Sequence, residues 1–239
     1  MATPAERLAL VREQLDATAV KAGREPRDVR LLAVGKTFAP EVLQQFYQAG
    51  QRDFGENRVQ EAEEKVQQLP ATIHWHLIGH LQTNKAAQAL RLFSMIHSVD
   101  TAKLARRLER LAGEQGKTCR ALIQVDLAGE EAKFGLRPEE LTSLLEEAGS
   151  YRHLQVTGLM ILPPYTPDPE GSRPYYRRLR ELALRAQERG LLGNRGPVEL
   201  SMGMSHDYLV AVQEGATLVR VGTALFGPRQ PTGAAADND

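Results

Sequence analysis

The sequence predicts a single (β/α)₈ barrel of the TIM type, preceded by an extra N-terminal helix. Three observations predict it. Strand-like and helix-like segments alternate about eight times, no composition shift marks a boundary, and the 239 residues suit a fold of typically about 250. A doubly wound open sheet is the alternative, but no glycine-rich dinucleotide fingerprint follows the first strand. The barrel is expected over residues 1–229, and the small, polar tail over 230–239 is expected to be disordered.

Thr3-Pro4-Ala5-Glu6 is a capping box with proline at the first helical position, and Leu8, Val11, Leu15 and Ala19 follow on one face. The first strand is Val29 to Gly35, followed by a helix over Pro40 to Ala49. Arg52 to Gly55 is a short second strand, and Glu56 to Gln68 a Glu- and Gln-rich helix ended by Leu69-Pro70. The third strand, Ile73 to Ile78, closes on Gly79 and precedes a helix over Asn84 to Arg91. Ser94 to Val99 is the fourth strand, and Asp100 is expected to cap the helix that carries Leu104, Leu108 and Leu111. The fifth strand is Cys119 to Val125, and Pro138 opens the next helix with Leu141, Leu144 and Leu145. Gln155 to Leu159 is the sixth strand, with a proline-rich loop over Pro163 to Pro174 and a helix over Tyr175 to Arg189. Val198 to Leu200 is the seventh, Ser205 to Glu214 a short helix stopped by Gly215, and Thr217 to Val221 the eighth strand.

Composition excludes several function classes. Lysine plus arginine equals aspartate plus glutamate at 30 each, so no electrostatic footprint for nucleic acid or a membrane surface is present. The single cysteine, Cys119, excludes an intrachain disulfide and a cysteine-rich zinc site, and fits a reducing, cytoplasmic setting. No apolar run approaches the roughly 20 residues of a membrane span, and the acidic first helix is not a signal peptide.

The informative chemistry sits at strand ends. Val29 to Gly35 delivers Lys36 to the carboxyl end of a buried strand, where α/β proteins bind ligands. A desolvated lysine there gains free-amine character and can capture an aldehyde as a Schiff base; a solvated surface lysine is the plainer alternative. Ser201-Met202-Gly203-Met204-Ser205 reads as a small-residue loop running into a helix, and Arg220-Val221-Gly222-Thr223 closes the eighth strand. Their hydroxyls and backbone N–H groups suit a phosphate, against two ordinary turns, although Asp207 repels an anion unless it points away. Arg220, inside an apolar run, either faces a ligand at the barrel mouth or pairs with a buried carboxylate. His74, His76 and His80 have the look of metal ligands, but no paired carboxylates complete a set, so polar or packing roles are expected and no metal. Asn57 either contacts a ligand or caps a helix, and Lys85 and Lys133 are read as solvated.

Val34-Gly35-Lys36-Thr37, Phe54-Gly55-Glu56-Asn57-Arg58, His76 to Lys85, Leu200 to Ser205, Arg220 to Thr223 and Phe226-Gly227 together resemble the YggS/PROSC family of pyridoxal-phosphate homeostasis proteins, from about Leu8 to Arg229. The resemblance implies a barrel like the N-terminal domain of alanine racemase, with pyridoxal 5′-phosphate (PLP) held as a Schiff base on Lys36. It implies phosphate contacts at Ser205, Gly222 and Thr223, supported by Ser201 and Gly203, with Arg220 at the pyridine nitrogen and Asn57 beside the ring. It further implies PLP handling without established turnover, in the cytoplasm, with PLP-dependent apoenzymes as recipients. A monomer is expected. The chain departs from the family pattern at Asp126-Leu127-Ala128 and Phe134, where more polar residues are usual. An amino-acid racemase needs acid and base groups on both faces of its substrate, one of them from a second domain for which the barrel leaves no room. A Schiff-base aldolase that stores no cofactor is the third reading.

Overall fold

The computed structural model describes residues 2–129 and 134–227. Parallel strands close into a barrel in the order β1-β2-β3-β4-β5-β6-β7-β8, with β8 paired back onto β1. The strands are β1 (Arg30–Val34), β2 (Asp53–Glu56), β3 (His74–Leu77), β4 (Met95–Val99), β5 (Cys119–Gln124), β6 (Leu154–Met160), β7 (Glu199–Met204) and β8 (Leu218–Val221). Around them run α1 (Pro4–Lys21), α2 (Pro40–Gln48), α3 (Val59–Val66), α4 (Ala86–Leu92), α5 (Ala102–Glu114), α6 (Pro138–Gly149), α7 (Arg173–Glu188), α8 (Tyr208–Gln213) and α9 (Thr223–Phe226). Lys133 and the tail over 230–239 lie outside the described residues.

The alternation of side chains along each strand separates two cores. On β1, Leu31 and Ala33 join the large cluster between the barrel and its helices, whereas Leu32 and Val34 pack with Ile78 in a separate one. Met95, Leu122, Met160 and Leu218, from four strands, form a third cluster. The capping box of α1 forms as expected: Thr3 Oγ1 accepts from the Glu6 N–H and Glu6 Oε2 from the Thr3 N–H. Leu104, Leu108 and Leu111 are buried on α5.

Four expectations are corrected. Thr101, not Asp100, caps α5, because its hydroxyl reaches the Leu104 N–H while Asp100 turns to His80. Glu56 ends β2 and Arg58 is the N-cap of α3, so Asn57 caps nothing and lies on a bend between them. Strand β7 runs on to Met204, held by β6 and β8, so Ser201 to Met204 are strand and the helix starts only at Tyr208. Helix α7 starts at Arg173, with Pro174 in its first turn, after a 3-10 turn over Pro169–Ser172. Helix α9 was not anticipated.

Candidate functional site

Strand pairing places Lys36 at the carboxyl mouth of the barrel. Val34 pairs with Gly55 on one side, Ala33 with Val221 on the other, and the Gly35 N–H donates to the Gly55 carbonyl at 3.1 Å. Lys36 is half-buried in the turn after β1, and Thr37 beside it has φ 69°, the one non-glycine residue with positive φ among those described. Such a conformation costs on the order of 1–3 kcal/mol and persists only where the surroundings impose it.

A buried ion pair lies beneath this turn. Lys65 Nζ donates to Glu56 Oε1 at 2.6 Å and to the Gly35 carbonyl at 2.9 Å. It ties α3 and β2 to the residue that precedes Lys36. A Cβ at Gly35 would lie 2.8 Å from Leu43 Cδ2, so any larger residue there would have to push the Leu43 side chain aside. Glu56 is wholly buried and its Oε2 has no hydrogen-bond partner. Burial pushes its carboxyl up to about 7, outweighing the nearby charges of Lys65 and Lys36.

The ends of β7 and β8 bring Ser205, Gly222 and Thr223 together. Ser205 Oγ accepts from the backbone N–H of Gly222 at 2.9 Å and of Ala224 at 3.4 Å. Gly222 stacks over Val34 of β1, and exposed Thr223 opens α9. The concern over Asp207 is answered by its partners: Oδ2 accepts from Ser172 and Tyr176 hydroxyls, both at 2.7 Å, and Oδ1 from the Met204 N–H at 2.7 Å. Gly203 has φ 90°, and a Cβ there would lie 2.6 Å from that of Ala211. It shapes the approach of β7 to α8.

Arg220 points into the barrel, 3% exposed. It donates to Ser201 Oγ at 2.6 Å and the Ile161 carbonyl at 2.7 Å, both neutral acceptors. No carboxylate among the described residues lies in ion-pair contact with it, so the paired-carboxylate alternative falls. Burial lowers its pKa to about 10, which leaves it protonated at neutral pH. Ser201 therefore does not join Ser205 and Gly222 at the mouth: its oxygen sits inside the barrel, between Arg220 and His97. His76 contacts His97 and Asp53, while exposed His74 is 3.4 Å from the same Asp53 oxygen. His80 bonds to Asp100 at 3.0 Å and stacks on Phe134. No group of three or more described His, Cys, Asp or Glu residues is arranged to hold a metal. Asn57, His80, Gln82 and Lys85 line a cleft of about 510 Å³ beside the mouth.

Lys36, Asn57, Ser205, Gly222 and Thr223 thus lie on neighbouring strand ends, with Arg220 and Ser201 a layer beneath. Sequence reasoning assigned nothing to Glu56, although it stood within a quoted motif, or to Lys65 and His97, whose partners lie far along the chain.

This is a barrel of the alanine racemase N-terminal type. The family model described as "Alanine racemase, N-terminal domain" matches residues 8–230. An alanine racemase from Clostridium difficile superimposes with a TM-score of 0.68 at 16% identity, over 95% of this chain and 62% of that one, a likeness of fold alone. Much nearer is PipY of Synechococcus elongatus, solved with PLP bound: TM-score 0.83 and 41% identity over 94% of this chain and all of that one. The pyridoxal phosphate homeostasis protein of Aquifex aeolicus is 43% identical over 94% of this chain and 98% of its own length. That of Pseudomonas aeruginosa is 40% identical over 96% and 97%. The chain belongs to the pyridoxal phosphate homeostasis protein family.

Proposed function

We propose that this protein binds PLP at the barrel mouth and acts in PLP homeostasis, as a carrier or buffer that holds the cofactor and releases it to PLP-dependent apoenzymes. PLP supplies an aldehyde, a phosphate and a pyridine ring, and the chain offers a group for each. Lys36 provides the amine. Ser205, Gly222 and Thr223 provide hydroxyl and N–H donors for the phosphate, with Gly203 shaping the approach of β7 to α8. Arg220 donates to the ring nitrogen, and Asn57 lies on the ring's open side. The observation that carries the reading is the convergence of Lys36 with the Ser205–Gly222 contact above a buried guanidinium whose hydrogen bonds, among the described residues, go to the neutral acceptors Ser201 and Ile161, with Asp207 acting on it only through space. An anionic ligand completes that arrangement electrostatically.

The family likeness to alanine racemase raises catalysis as a second reading. Arginine cannot give up a proton to the ring nitrogen as an acid would, so it leaves the ring a weaker electron sink. Relatives that match this chain end to end carry the homeostasis name. The proposal places the protein among binding proteins, and takes it as monomeric and cytoplasmic.

Purified protein is expected to be yellow, and borohydride reduction followed by peptide mapping to find one PLP on Lys36. Lys36→Ala is expected to lose the colour on dialysis. An adduct mapped to another lysine refutes the site. Deuterium exchange at the α-carbon of alanine at enzyme-like rates, lost in Lys36→Ala, refutes the carrier reading.

A further inference from the structure

Five polar groups cross the barrel interior in unbroken hydrogen-bond contact. Arg220 Nη1 donates to Ser201 Oγ at 2.6 Å, and that oxygen lies 2.9 Å from His97 Nδ1. His97 Nε2 lies 2.9 Å from His76 Nδ1, and His76 Nε2 lies 3.1 Å from Asp53 Oδ1. Ser201 and His97 have no exposed surface, and His76 and Arg220 are each 3% exposed. The Asp53 side chain, 21% exposed, reaches the opposite, amino-terminal face of the barrel.

Donor and acceptor counting permits one arrangement. Burial opposes ionisation of Asp53, but the hydrogen bond from His76 and the nearby positive charge of Arg30 act against it, and the carboxyl is held below the usual range. A carboxylate only accepts, so His76 carries its hydrogen on Nε2. Burial keeps both imidazoles uncharged at neutral pH. His76 Nδ1 must then accept, so His97 donates from Nε2. His97 Nδ1 accepts in turn, so the Ser201 hydroxyl donates to it, leaving lone pairs on Ser201 Oγ for Arg220. Every hydrogen points from Arg220 toward Asp53.

We propose that Asp53, His76, His97 and Ser201 form a one-way hydrogen-bond relay that commits Ser201 Oγ as an acceptor and holds the Arg220 guanidinium in one orientation, its remaining N–H donors presented to the pyridine nitrogen of PLP. The last clause rests on the PLP reading; the relay itself does not. The arrangement has a purpose that a direct Asp–Arg pair lacks. A carboxylate against the guanidinium would neutralise it at the ligand end. Here no carboxylate among the described residues touches the guanidinium: Asp207, bonded to Ser172, Tyr176 and Met204, acts on it only through space, and the relay's own charge stays at the far face and acts through polarised neutral groups, which strengthen one another in a low-dielectric interior. His97, His76 and Asp53 are positioning residues that act through Arg220.

The relay is tested first without cofactor. Imidazole ¹⁵N NMR of the ligand-free protein at neutral pH is expected to find His76 and His97 both uncharged, each with its hydrogen on Nε2. An Nδ1–H form or an imidazolium at either residue overturns the relay, whatever the protein binds. The coupling to the ligand is tested with PLP and with an analogue that carries carbon in place of the ring nitrogen. Ser201→Ala, which removes one oxygen and adds no bulk, is expected to weaken PLP about tenfold and to leave the analogue within about twofold of the parent. Equal losses for the two ligands, or no loss for PLP, overturn the positioning role. A parent protein that binds neither ligand refutes the PLP reading, and with it the clause that rests on it, while the NMR result still decides the relay.

Discussion

Glu56 shows how one buried carboxyl tunes stability beneath the site. One oxygen meets Lys65 at 2.6 Å and the other meets no donor, so ionisation costs more in the folded protein than in water. The folded value of about 7 exceeds the ordinary 4.5. Between those values the folded protein binds more protons than the unfolded chain, so this group's contribution to stability is complete below about pH 4.5 and is lost as pH rises through 7. The loss is roughly 3 kcal/mol at about 1.4 kcal/mol per unit. His76 and His97 act in the opposite sense: their lowered values mean that the unfolded chain takes up protons first, so their contribution is complete above about pH 6.5 and lost below it. In Glu56→Gln the amide oxygen keeps an acceptor for Lys65 and nothing ionises. Urea unfolding of the ligand-free protein between about pH 5 and pH 8 is expected to show the parent losing stability relative to Glu56→Gln as pH rises. Parallel pH curves for the two proteins would mean that this carboxyl does not titrate near neutrality.

At the scale of elements, the proposed function divides the ligand's chemistry among the ends of β1, β7 and β8, with Asn57 after β2 beside the ring. Charge-assisted hydrogen bonds contribute about 1.5–3 kcal/mol each before desolvation, so the phosphate donors are expected to dominate retention. Pyridoxal should bind far more weakly than PLP, and Ser205→Ala combined with Thr223→Ala should leak PLP during dialysis, followed by absorbance. Equal retention of pyridoxal and PLP by the parent would move the anion contact elsewhere. These strand ends were legible in the sequence because apolar runs of strand length stop at Gly35 and Val221, and the polar residues beyond them have nowhere to sit but the mouth. The end of β7 was not legible. Ser-Met-Gly-Met lacks the β-branched residues that mark strands, and only pairing with β6 and β8 makes it one. The Asp100–Thr101 cap was misplaced because either residue type serves at that position. The interior relay was illegible for a different reason. Its partners are 19 to 104 residues apart, and nothing local marks His97 or Ser201 as neighbours of Arg220.

Across the whole molecule, closure of β8 on β1 leaves the sheet without an edge from which strands could peel one at a time. One cluster of buried apolar residues runs from Leu8 in α1 to Phe226 in α9, so removing any strand exposes core shared with the helices beside it. The proposed site draws its residues from the ends of β1, β2, β7 and β8, on either side of that seam. The only tryptophan, Trp75, is buried on β3, against Phe54 of β2 and away from the proposed ligand contacts. Trp75 thus reports on the layer outside β2 and β3, apart from the strand ends proposed to hold PLP. If the barrel is one cooperative unit, binding at the seam must stabilise β3 as much as β1. Urea transitions followed by Trp75 fluorescence and by far-UV circular dichroism are expected to coincide in the ligand-free protein. PLP at about 100 times its Kd should add about 2.7 kcal/mol to the unfolding free energy read by either probe. Separate midpoints, or a PLP shift seen by circular dichroism but not by Trp75, would mean that the surroundings of Trp75 on β3 unfold apart from the strands proposed to hold the cofactor.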